Sequence, residues 1–221
     1  MLLVFDLDGT LIDSRRDIAD ACNVALVAVG RHALPIEEIA KFVGDGVRNL
    51  LSRALGCAAD DPLIDRALVP LIDHYMAHPI THTTWMPGAR EALNLASDHV
   101  LCVATNKRTK LAIAILDALR VTDKFAAVTG GGDGPLKPDP AAIHWLVDKV
   151  RWTGEPRSVW MIGDGPQDIG AGVAAGATTV AVAGGFHSKE RLATLGADYL
   201  LDSLLELPAL LKGSSASPRS P

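Results

Sequence analysis

The chain has 221 residues, room for one large domain or two small ones at about 100–200 residues each. Hydrophobic residues make up 48% and charged residues 21%, which excludes a disordered chain, and aromatics at 5% leave the core to Ala, Leu, Val and Ile. A net charge of −5 argues against nucleic acid as a partner, because its binders carry a basic surplus. Every apolar run is broken well short of the roughly 20 residues of a membrane span, so no membrane partner is expected.

Residues 2–5 read as a short buried strand. They meet Asp6 and Asp8 where a secretory leader would still be apolar, so no leader is expected. Residues 14–79 contain no convincing strand. Their apolar spacing predicts helices over 17–29, 36–42, 47–55 and 63–76, with Asp61-Pro62 as a start signal and a kink or break at Pro70. From residue 80 strand-length runs return at 100–104, 125–128, 158–162, 179–183 and 198–201, between helical patterns punctuated by Asp139-Pro140, Gly176 and Gly196. Strand–helix alternation implies a parallel sheet with helices on both faces, and the helical stretch reads as a second small domain inserted after the first strand. The expected division is a core of residues 1–13 and 80–212, an insert of 14–79 and a disordered tail of 213–221 rich in Ser and Pro. The three cysteines, Cys22, Cys57 and Cys102, are widely spaced, which fits reduced thiols and a cytoplasmic protein.

The chemistry collects at strand ends, which form the ligand crevice of a parallel sheet. The first strand ends in Asp6-Leu7-Asp8-Gly9-Thr10, the second in Thr105-Asn106 and the fourth in Gly163-Asp164-Gly165-Pro166-Gln167-Asp168, while Lys137 precedes a helix after the third. Taken singly, each has a plainer reading: an acidic turn, a helix cap, a solvated lysine, acids complementing a helix dipole. Together the four are complementary, with carboxylates for a hard divalent cation and Thr plus Lys for a phosphate.

In that order, Asp-x-Asp-Gly-Thr, strand-end Thr-Asn, Lys-Pro and Gly-Asp-x-x-x-Asp resemble the four motifs of the haloacid dehalogenase superfamily. FDLDGTLIDSRRDIADACNVAL, KFVGDGVRNLLSRAL and GGGDGPLKPDP are similar to its phosphoglycolate phosphatase group. The resemblance implies a Rossmann-like α/β core with a helical cap after the first strand. It implies Asp6 as the nucleophile that becomes an aspartyl-phosphate and Asp8 as the acid and base. Mg²⁺ would bind through Asp6, the Asp8 carbonyl and Asp164, with Asp168 supporting it through water or as a partner of Lys137. Thr105, the Asn106 main chain and Lys137 would hold phosphate oxygens. Gly44 and Arg48, on a Gly-flanked loop opening a helix, would meet the leaving group, with a solvated Arg48 as the plainer alternative. The implied partner is a small phosphorylated metabolite, and the protein would be a monomer or homodimer. One departure is Gly165, where the family often has Ser, Thr or Arg. Other readings stay open: a receiver-like signalling domain, a dehalogenase, a sugar-phosphate mutase, or a phosphonatase using Lys41.

Overall fold

The computed structural model describes residues 1–132 and 134–214. The chain begins with β1 (Leu2–Phe5), a tight turn, and β2 (Ile12–Asp13), followed by α1 (Arg15–Ala28), α2 (Ile36–Ala40), α3 (Val47–Leu55) and α4 (Pro62–Ala77). It returns through β3 (Thr84–Trp85) and continues as α5 (Ala89–Leu95), β4 (Val100–Arg108), α6 (Thr109–Ala118), β5 (Ala127–Gly131) and α7 (Ala141–Lys149). The last elements are β6 (Val159–Gly163), α8 (Pro166–Ala174), β7 (Thr178–Val182), α9 (Lys189–Ala193), β8 (Tyr199–Leu201) and α10 (Leu207–Ser214).

Six strands form one parallel sheet in the order β5-β4-β1-β6-β7-β8, which puts β1 between β4 and β6. The alternation of side chains along a strand explains why β1 is apolar at every position: Leu3 and Phe5 enter one buried cluster, Leu2 and Val4 another. The first cluster packs α5, α6 and α10 on the sheet through residues such as Leu93, Ile115 and Leu207, and the second packs α7 and α8 through Leu146 and Ala171. Chain order turns back at β1, so the crevice opens at the carboxyl ends of β1, β4 and β6.

The helices α1–α4 lie between the two strands of a separate antiparallel ribbon, β2 with β3, whose register pairs Ile12 with Trp85. Buried Asp17 locks this junction, accepting from the amides of His82 and Thr83 and from the Thr83 hydroxyl (2.6 Å). Arg15, on the same junction, donates to the carbonyl of Gly184 at 3.0 Å. Asp61 caps α4 as its sequence predicts, accepting from Leu63 N at 2.8 Å. Pro70 does not split α4: one helix runs from Pro62 to Ala77, and the buried face of Ile64, Ala67, Leu71 and Tyr75 offsets the missing hydrogen bond. The expected tail is also corrected, since α10 carries the helix through Gly213 to Ser214, and residues 215–221 lie outside the described residues. Cys22 and Cys102 are buried and Cys57 is half-buried, all as free thiols. Among the described residues no helix is long and apolar enough to cross a membrane.

Candidate active site

The turn after β1 is built around Gly9. Its φ of +87° belongs to the left-handed region, and a Cβ there would lie 2.4 Å from Asp164 Oδ2 and 2.6 Å from the Phe186 ring. This closeness lets the β1 turn touch the end of β6. Thr10 Oγ1 donates to Asp164 Oδ1 at 3.0 Å and Phe186 N to Asp164 Oδ2 at 2.7 Å, fixing that carboxylate.

Asp6 follows β1, and Lys137 Nζ reaches it across the crevice at 2.8 Å while bonding Asp168 Oδ1 at 2.6 Å. Asp168 spends its other oxygen on Gly165 N at 2.9 Å, so the structure makes it the partner of Lys137. Carboxylate oxygens of Asp6, Asp164 and Asp168 lie within 4.8 Å of one another. Burial, with the nearby charges of Asp168 and Asp8, pushes the Asp6 carboxyl up to about 7 despite Lys137. Burial and the charges of Asp6 and Asp168 likewise raise Asp164 well above the carboxylate range. A buried cluster of hard oxygen donors that repel one another suits a small divalent cation, and a metal held there would reverse both shifts.

Asp8 is held apart from this cluster. Ser14 Oγ donates to its Oδ1 at 2.5 Å, and Lys107 Nζ pairs with its Oδ2 at 2.9 Å. Lys107 also donates to Tyr75 OH at 3.1 Å, linking the acid/base candidate to helix α4. Burial would lower the Lys107 amine, but Asp8 and Tyr75 outweigh it and hold it raised; Lys137 is raised in the same way by Asp168 and Asp6. Thr105 is buried in β4 at the register irregularity, its hydroxyl oxygen accepting from Lys107 N. The Asn106 side chain is wholly used as a brace, donating to the carbonyls of Gly44 (2.7 Å) and Lys137 (2.8 Å) and accepting from Lys137 N. What Asn106 has left for a ligand is main chain.

The strand ends and helices α1, α3 and α4 enclose a cleft of about 90 Å³, lined at its base by Asp6, Asp8, Thr105, Lys137 and Asp164. Its insert wall is apolar, with Val43, Val47, Leu50 and Leu71. Pockets for drug-sized ligands run to roughly 300–1,000 Å³, so this one suits a small molecule. At Gly165 a Cβ would meet the flexible end of Gln167 (Oε1, 2.9 Å) and the His187 ring at 3.3 Å, so a side chain there would have to displace Gln167. Gln167 reaches from this space to Asp45 Oδ1 at 2.6 Å, joining α8 to the loop before α3.

Of the two loop residues singled out in the sequence, Gly44 lines the cleft and Arg48 does not. The Arg48 guanidinium turns away, donating to Ala59 O at 3.0 Å and to Asp65 at 2.6 Å, so the expected contact with a leaving group is corrected to a brace between α3 and α4. Arg48→Ala is therefore expected to lower the melting temperature by roughly 2–6 °C, the cost of one or two hydrogen bonds, and to affect all esters alike. Melting curves and kinetics on two esters check this; a loss confined to one ester contradicts it. The sequence reading passed over Lys107 and Tyr75. Lys107 had a signal, since it directly follows Thr105-Asn106 at a strand end, whereas Tyr75 sits on the apolar stripe of its helix and reads as core.

Parallel β1 at the centre of the sheet, two aspartates on its closing turn and a helical insert directly behind them define one class. The haloacid dehalogenase-like hydrolase family matches residues 3–182, and the chain belongs to it. Within the family the chain is similar to the phosphoglycolate phosphatase of Chromobacterium violaceum, at 36% identity over 216 residues that cover 95% of this chain and 96% of that one. The phosphoglycolate phosphatase of Caulobacter vibrioides is 35% identical over 214 residues, covering 93% and 88%. Among solved structures, a predicted phosphatase from Clostridium acetobutylicum superposes with a TM-score of 0.84 at 26% identity, covering 96% of this chain and 98% of that one. A predicted phosphoglycolate phosphatase from Haemophilus somnus gives a TM-score of 0.84 at 25% identity, covering 95% and 97%.

Proposed function

We propose that this enzyme is a Mg²⁺-dependent phosphomonoesterase that hydrolyses 2-phosphoglycolate to glycolate and phosphate through an aspartyl-phosphate on Asp6. The observation that carries the reading is the Asp6–Lys137–Asp168 chain beside Asp164 at the base of a small cleft. Asp6 attacks phosphorus as the ester P–O bond breaks, and Asp8 gives its proton to the departing alkoxide. Water then attacks phosphorus and yields a proton to Asp8; the acyl-phosphate P–O bond breaks, restoring the Asp6 carboxylate and freeing phosphate. Lys137 neutralises the nucleophile and the incoming dianion together, and the Thr105 hydroxyl and Asn106 main chain orient phosphate oxygens. Asp6, Asp164 and the Asp8 carbonyl would hold Mg²⁺, with Asp168 supporting them, and the cation supplies charge neutralisation for the transferring phosphoryl group.

The insert, residues 14–79, serves as a cap whose closure excludes water, since Gly44 O, Asp45 and Tyr75 all bond to groups of the core. The similarity to the phosphoglycolate phosphatases supports the choice of ester, and the cleft volume supports a substrate of that size. A phosphonatase needs a neutral amine for an imine. Lys41 is exposed and does not line the cleft, while both buried lysines there are held protonated by carboxylates. A sugar phosphate would leave its hydroxyls facing the apolar insert wall.

Activity on 2-phosphoglycolate is expected to vanish after dialysis against EDTA, to return with Mg²⁺, and to be inhibited by Ca²⁺, which takes more ligands at longer distance. Protons compete with the cation for Asp6, so Mg²⁺ should raise the melting temperature more at pH 8 than at pH 5.5, on either side of the Asp6 value of about 7. Full turnover in EDTA, or an equal Mg²⁺ shift at both pH values, would refute the metal assignment.

A further inference from the structure

The described residues bring three Lys or Arg side chains to the cleft: Lys107, Lys137 and Arg108. Lys137 is spent on Asp6 and Asp168, and Lys107 on Asp8. Arg108 has no hydrogen bond or ion pair among the described residues, although it is half-buried. It is the last residue of β4, paired with Gly131 of β5 just past the irregular register, at the start of α6.

The glycine run that ends β5 makes room for it. A Cβ on Gly130 would strike the Lys107 carbonyl at 2.4 Å, and one on Gly131 the Asn106 carbonyl at 2.9 Å, so these glycines let the two strand ends meet. A Cβ on Gly132 would sit 3.4 Å from Arg108 Nε and 3.5 Å from its Nη2, so the guanidinium lies against that backbone. A half-buried cation without an internal partner gives up hydration and gains nothing from the protein in return. Its planar fork of donors matches a carboxylate.

We propose that Arg108 is the specificity residue that binds the second anionic group of the substrate, a carboxylate on a short phosphomonoester whose phosphate sits over the Asp6–Lys137 pair. This rests on the phosphatase reading and deepens it by naming the residue that selects the ester. Arg48 is committed elsewhere, and moving Lys107 or Lys137 to a carboxylate of the substrate would strip a buried aspartate of its partner.

The experiment compares wild type, Arg108→Met and Arg108→Lys on 2-phosphoglycolate and on ethyl phosphate, which has the same skeleton without the carboxylate. A hydrogen bond to a charged group corresponds to about 10- to 150-fold, so Arg108→Met should lower kcat/KM for phosphoglycolate by that factor. The loss should exceed that on ethyl phosphate by at least about tenfold, and Arg108→Lys should recover part of it. Competitive inhibition supplies a readout independent of turnover: phosphonoacetate should weaken against Arg108→Met far more than ethylphosphonate does. Equal losses on both esters, or none on phosphoglycolate in an enzyme that prefers it, overturn the role of Arg108 and leave the phosphatase reading standing. A wild type with no preference for phosphoglycolate over ethyl phosphate overturns the carboxylate class and Arg108 with it. No turnover of either ester with Mg²⁺ overturns the phosphatase reading itself.

Discussion

Asp6→Asn is expected to lose at least about 10⁴-fold in turnover of phosphoglycolate and of an aryl phosphate while keeping its fold, as when a covalent nucleophile is removed elsewhere. The amide has the same shape but no electron pair basic enough to form the acyl-phosphate. Stability separates this loss from unfolding. Asp6 is pushed up to about 7 by burial and by its acidic neighbours, so its charge is a burden to the metal-free protein above that pH. Asn removes the burden, and Lys137 keeps Asp168 at 2.6 Å. The metal-free variant should therefore melt no lower than wild type at pH 8. Steady-state kinetics beside a melting curve in EDTA check both halves; activity within tenfold of wild type would end the nucleophile assignment.

The catalytic base of the cleft was legible in the sequence because its residues sit at strand ends, and strand ends are set by local pattern. Residues 2–5 form the strand their apolar run predicts, so Asp6 and Asp8 fall on the turn beyond it. The run at 100–104 shows the limit of that logic. The strand continues to Arg108 through a register irregularity, because cross-strand pairing with β5 extends it past the apolar stretch. The β2–β3 ribbon was invisible, as two-residue strands have no period to read. Arg48 shows a different limit. Its place on a Gly-flanked loop suggested a ligand contact, but the direction of a long side chain depends on partners 11 and 17 residues away, Ala59 and Asp65. Lys107 and Arg108 were adjacent in the sequence and alike in charge. Only the fold separates them, burying one against Asp8 and leaving the other at the cleft without an ion pair among the described residues.

Lys137→Met is expected to be the most destabilising single change at the site. Lys137 is 4% exposed and compensates two carboxylates at once. Methionine fills much of its volume, so the cost is electrostatic: removing one partner of a buried ion pair costs about 3–5 kcal/mol. At roughly 2–4 °C per kcal/mol for a chain of this size, the melting temperature should fall by about 6–20 °C at pH 8. The pH dependence identifies the cause. Without Lys137 the Asp6 carboxyl, already raised by burial, rises further above its unfolded value, beside an Asp164 carboxyl that burial also raises. A group whose folded value is raised contributes stability that is present at low pH and lost as pH rises through that value. The gap between variant and wild type should thus be small near pH 5, where the carboxyls are protonated, and widen through pH 7 and 8. Mg²⁺ should narrow it at pH 8 by supplying the missing positive charge. A deficit independent of pH would assign the loss to packing instead, and a variant that melts within about 2 °C of wild type at pH 8 would show that the buried acids do not need the lysine.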